Sequence, residues 1–289
     1  TPLPPDEPVG ENPPEGAMID YSLGSDAIGP VALEIKNEKG ETVRRYASTD
    51  PVPTPDPKLK IPRYWVKPPQ SLSEKPGLHR FFWDMHGTPL PDITPQYPMT
   101  AIPHKTAPEP TAPWVVSGDY SVVLTAGGKS LTQPLPLKMD PRVQATTADL
   151  QNQFESSKAL YDLRAQLKPI GKPYQALVGE VAKAKERAGE NPLKERVAAL
   201  GKQLEAFANP ADVRAGDALG LDVLSKVEKL YRDLQDGDAA PTPAQEAALS
   251  DLQRDTKGAL EQWRSLQPEM ADLNSELQAA GIEAIKVPQ

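Results

Sequence analysis

The chain has 289 residues, a formal net charge of −8, a mean hydropathy of −0.52, 34 prolines and no cysteine. Without cysteine there is no disulfide scaffold, thiolate metal site, iron–sulfur cluster or cysteine nucleophile. No apolar run approaches the ~18–20 residues of a transmembrane helix. Residues 1–142 carry −3 and residues 143–289 carry −5, with no Lys/Arg stripe, which argues against nucleic acid as a partner.

Proline divides the chain, with 26 of the 34 in residues 1–142. Thr1–Pro14 is a proline-rich arm or linker, and lacks the basic and apolar regions of a signal peptide. The chain therefore reads as a processed or excised piece.

Alternating segments follow. Ala17–Leu23 predicts a strand with Ile19, Tyr21 and Leu23 on one face. Val31–Asn37 alternates likewise, turns at Glu38-Lys39-Gly40 and returns over Thr42–Ala47. A proline loop covers 49–76. Gly77–Asp84 predicts a strand with Phe81 and Trp83 inward, and a second proline loop spans 86–113. Gly118–Ala126, Gly127-Gly128 and Lys129–Leu137 form a further hairpin. The expected fold of residues 15–142 is an Ig/fibronectin-like antiparallel β-sandwich, its prolines lying between strands.

Past residue 142 the period changes to 3.5–3.6, and 143–289 predicts an antiparallel α-helical bundle, making the whole an α+β chain. Helices are expected at about 147–167, stopped by Pro169-Ile170-Gly171, then 172–188, 193–208 and 219–235. A loop is marked by Asn209-Pro210 and Gly216. The last helix starts at the capping box of Thr242 and Gln245, with Pro243 at its first position. Its stripe runs Leu249, Leu252, Thr256, Ala259, Trp263, Leu266, Met270, Leu273, Leu277. Pro268 predicts a kink or restart. The stripe fits a bundle core or, alternatively, an oligomer surface.

Candidate chemistry is sparse. His79 and His86 flank Asp84, but a regular strand sets His79 and Asp84 on opposite faces, so these histidines and His104 read as surface or loop-packing residues. Asp20, Asp26, Glu34, Asp84, Asp92 and Asp119 show no spacing that singles out a catalytic pair. Gly127-Gly128-Lys129-Ser130 lacks the first glycine of a phosphate loop and reads as a hairpin turn. No catalytic residue, metal site or cofactor is assigned. Tyr64, Trp65, Tyr97 and Trp114 lie in or beside the proline loops and are the candidate ligand-binding residues. They suit a sugar platform, or anchors that pack the loops down.

Several phrases together carry a family signal: Asn12–Tyr21 (NPPEGAMIDY), Val31–Lys36 (VALEIK), Arg44–Tyr46 (RRY), Gly77–Asp84 (GLHRFFWD), Ser117–Gly128 (SGDYSVVLTAGG) and Pro136–Arg142 (PLKMDPR). The chain resembles the region after the β-propeller in large bacterial exported proteins with sortilin- or neuraminidase-type repeats, often labelled glycosyl hydrolase-like. Its G-x-H-x-x-x-W-D … G-D-Y pattern is also similar to the Ig-like domain of flagellar hook-capping proteins. Leu273–Ile282 resembles the family's closing helix. The resemblance implies a periplasmic or secreted location and a β-propeller N-terminal to Thr1, in the same or a parent chain, as partner. No S-x-D-x-G-x-T-W repeat occurs here, so no propeller-borne activity and no catalytic residue carries over. The expected function is that of a non-catalytic accessory or interaction module, with a protein or glycan partner. The alternatives are a carbohydrate-binding module and part of a glycoside hydrolase or peptidase.

Overall fold

The computed structural model describes residues 14–27, 29–52, 54, 59–91, 96–99, 102–207 and 222–286. Most of the expected arm Thr1–Pro14, Asp92, the loop marked by Asn209-Pro210 and Gly216, and the start of the expected fourth helix lie outside the described residues. The chain is a mixed α+β protein with two antiparallel sheets and a set of helices. It divides into two compact units, Thr1–Phe154 and Glu155–Gln289.

Among its described residues, six strands build the first unit: β1 (Ala17–Leu23), β2 (Ala32–Lys36), β3 (Thr42–Ala47), β4 (Gly77–Trp83), β5 (Gly118–Ala126) and β6 (Lys129–Leu137). β1 pairs with β4, and the other four lie in the order β3-β2-β5-β6. Alternation determines the buried faces, because successive side chains leave a strand on opposite sides. Ile19, Tyr21 and Leu23 of β1, Leu33 and Ile35 of β2, Phe81 and Trp83 of β4 and Val122 of β5 share one core with Val31 and Leu72. Ring contacts link strands of the two sheets: Tyr46 meets Phe81 edge-on at 4.7 Å, and Trp83 meets Tyr120 at 5.8 Å.

The turns follow from their residues. Gly127 and Gly128 both take positive φ, +54° and +73°, as a two-residue hairpin turn requires. Asn37 shapes the β2–β3 turn, its side-chain oxygen accepting from the N–H groups of Lys39 and Glu41. One expectation needs correction: Pro134 and Pro136 lie within β6, not between strands. β6 is an edge strand, and the two prolines sit two apart, opposite Ser121 and Asp119. Their missing N–H groups therefore fall on the outer side and no ladder bond is lost.

The helices are α1 (Thr147–Leu167), α2 (Gly171–Ala188), α3 (Leu193–Phe207), α4 (Asp222–Gln235) and α5 (Pro243–Ala279). The division between the units falls within α1. α1 ends at Leu167, as Pro169-Ile170-Gly171 predicts, and a 3-10 turn over Lys168–Ile170 leads directly into α2. By contrast, α5 does not restart at Pro268, which lies inside the continuous helix. Pro268 and Arg264 are both exposed, so water can reach the carbonyl that loses its bond there.

In the second unit, two apolar clusters form. Leu160, Leu163, Leu167, Val227, Leu230, Leu234 and Leu252 belong to one. Leu177, Val181, Val197, Leu200, Leu204, Leu266, Met270, Leu273 and Leu277 belong to the other. Tyr174 and Trp263 pack against both. The α5 stripe supplies buried Leu252, Thr256, Leu266, Met270, Leu273 and Leu277.

Candidate functional site

The long loops of the first unit are tied to each other by backbone hydrogen bonds. Pro62 opens a 3-10 turn over Arg63–Trp65, which carries two of the candidate aromatics. The next residues pair with 104–106: His104 N–H donates to the Tyr64 carbonyl at 2.8 Å, Thr106 N–H to Trp65 at 2.9 Å and Lys67 N–H to Thr106 at 2.8 Å. Val66 and Thr106 are buried beneath this join. Tyr64 stays 58% exposed and meets the half-buried Trp65 edge-on, ring centroids 6.2 Å apart. Met99 is 79% exposed, and Ile102 is exposed beside the join.

Tyr97 is half-buried, and burial raises its hydroxyl pKa. It lies next to Gln96, whose carbonyl accepts from Glu109 N–H at 2.8 Å. Trp114 is 45% exposed, and its ring rests on that of His86 with centroids 3.9 Å apart. Tyr64 and Trp65 make a pair, Trp114 pairs with a histidine, and Tyr97 belongs to a loop tie.

Of the histidines read as surface or loop-packing residues, His86 packs within its loop. His86 is only 4% exposed. Its Nδ1 lies 2.7 Å from the Asp84 carbonyl oxygen, which can only accept, so Nδ1 carries the proton. Its backbone N–H donates to the Asp84 carboxylate at 3.2 Å, and its carbonyl accepts from the Trp83 indole at 2.9 Å. Met85 takes φ +57° to make this turn. Around it, Val115 N–H donates to Met85 O and Gly87 N–H to Pro113 O, so 85–87 and 113–115 form a short antiparallel bridge. Arg44 of β3 donates to the Gly87 carbonyl at 3.2 Å, and Thr88 donates to the Val43 carbonyl at 3.0 Å. Burial lowers the His86 pKa, and the Arg44 charge acts the same way, while Asp84 opposes both. The available sequence signal was the spacing Trp83-Asp84-Met85-His86, a strand end followed by a polar turn.

Three of the carboxylates considered above, Asp20, Asp26 and Glu34, are engaged in ion pairs. Asp20 holds Arg80 through two bonds of 2.7 and 2.8 Å, Asp26 lies 3.6 Å from Lys129, and Glu34 lies 3.8 Å from Lys36. His79, on β4, is bound to the Lys75 carbonyl and stacks near Tyr21. Among the described residues, no three of His, Asp and Glu converge as metal ligands would. Likewise, no helix there is long and apolar enough to cross a membrane.

Compared with known protein families, curated proteins and solved structures, the chain matches none.

Proposed function

We propose that the chain is a non-catalytic interaction module of an exported β-propeller protein, its β part an Ig/fibronectin-like sandwich and its helical part an antiparallel bundle. One observation carries this reading: the motif residues of the resemblance hold the fold together. Trp83 is fully buried and ties down the turn at His86. Gly77 takes φ +122°, and Tyr120 donates from its hydroxyl to the Val116 carbonyl four residues upstream. Such a tyrosine near the start of a strand, bonded back to its own loop, is a hallmark of Ig-like sandwiches. The split of strands into β1-β4 and β3-β2-β5-β6 also suits that fold.

The interaction surface on this reading is the joined loop pair. It holds Tyr64 and Ile102 exposed on backbone already ordered by hydrogen bonds, so little entropy is lost there on binding, and Met99 is exposed in the same loop. Its partner is the propeller of the same or a parent chain, in the periplasm or outside the cell. Titration calorimetry of residues 1–289 against the isolated propeller tests this. Tyr64→Ala with Met99→Ala should weaken binding at least about tenfold, the effect of losing ~1.4 kcal/mol. Unchanged affinity in that variant counts against it.

The second reading, carbohydrate binding, draws on the exposed Tyr64 beside Trp65. A glycan array separates the two: glycan binding that Trp65→Ala and Trp114→Ala abolish favours the sugar platform. Turnover of a glycoside or peptide library by the chain alone overturns both.

A further inference from the structure

His86 Nε2 is buried and, among the described residues, has no hydrogen-bond partner. Since Nδ1 carries the proton toward Asp84, Nε2 of the neutral ring is a bare lone pair. That atom belongs to the residue on which the 85–87 and 113–115 bridge is built, with the Trp114 ring lying on it.

We propose that His86 is a pH-sensitive latch, in which a proton taken from solvent onto Nε2 opens the bridge between 85–87 and 113–115 and releases Trp114. The proton would make a buried imidazolium whose new N–H has no acceptor in place. The charged and titratable groups that act on it are Arg44 from β3, which repels the imidazolium, and Asp84 from its own turn, which attracts it. Tyr46 on β3, beside Arg44, stays neutral at acidic and neutral pH. Pro113, Trp114 and Val115, on the opposing segment, bring no titratable group. Burial outweighs the Asp84 attraction, so the folded chain resists the proton and the opened segment accepts it. The sign follows. The latch is fully closed above the ordinary histidine pKa of about 6.5 and loosens as pH falls below it. The proposal concerns the loops themselves and does not depend on which partner the chain binds.

The experiment is NMR on the full chain, reading the His86 ring titration and the exchange of the Gly87 and Val115 amides, corrected for intrinsic rate. The expected midpoint lies below about 6.5. Protection at Gly87 and Val115 should fall roughly tenfold per pH unit between 6.5 and that midpoint, while α5 amides hold theirs. His86→Asn keeps a donor for the Asp84 carbonyl and should flatten the profile. Should that variant fail to fold, Asp84→Asn keeps the acceptor for the His86 N–H, removes the anion, and should move the wild-type midpoint lower still. A midpoint at or above 6.5, or protection unchanged down to about pH 5, overturns the latch.

Discussion

The hydroxyl of Tyr120 donates a 2.8 Å hydrogen bond to the carbonyl of Val116. Tyr120 stands two residues into β5, and its ring meets Trp83 of β4 edge-on. One side chain thus fixes the entry into β5 and contacts the opposite sheet. Burial, with the charge of Glu38, raises its pKa, so the hydroxyl remains a donor well above neutral pH. Tyr120→Phe keeps the ring contact and removes the bond. It should cost about 1 kcal/mol, the ordinary net worth of such a bond. Urea unfolding monitored at β5 amides measures it, and a loss near zero would show that the ring alone holds the corner.

Gly16 and Gly77 separate strain from collision. Both take φ above +110°, where a side chain is strained. A Cβ on Gly16 would stand 2.4 Å from the Trp83 carbonyl oxygen, whereas one on Gly77 meets nothing within 4 Å. Gly77→Ala should cost on the order of 1–3 kcal/mol from strain. Gly16→Ala adds a backbone collision and should cost more. Equal losses of stability in the two variants would refute the collision.

Pro134 and Pro136 leave the outer side of β6 without two N–H donors, which blunts it as a template for another strand. Replacing both with Thr restores them on an edge where Leu131 is already exposed. The double variant should self-associate at concentrations where the parent does not. Sedimentation at several concentrations reads this, and identical behaviour of the two proteins contradicts it.

Burial and the charge of Asp84 push the Tyr46 hydroxyl up to about 12, with Arg44 opposing. The unfolded chain ionises this group near 10, so the stability it contributes is complete below that pH and is lost between about 10 and 12. Phenolate absorbance should show a titration near 12 that Tyr46→Phe removes. Tyr231, buried in the helical unit, is raised further still and should not ionise before unfolding.

The sequence by itself determined the strands, the helices and their buried faces. Ile19, Tyr21 and Leu23 alternate because strand geometry allows no other inward set, and the Thr242–Gln245 box marks the start of α5 through local bonds alone. Those signals are local, so they are legible without the fold. What Pro134, Pro136 and Pro268 do depended on place. A proline is harmless on the outer side of an edge strand or on a solvent-facing helix surface, and neither position is written in the neighbouring residues. The same holds for His86 and the four loop aromatics. Periodicity is silent in loops, and the bridge that seats His86 against Trp114, like the bonds that tie 64–67 to 104–106, joins residues tens of positions apart. Only tertiary structure decides such pairings, because burial is a property of what the rest of the chain brings alongside.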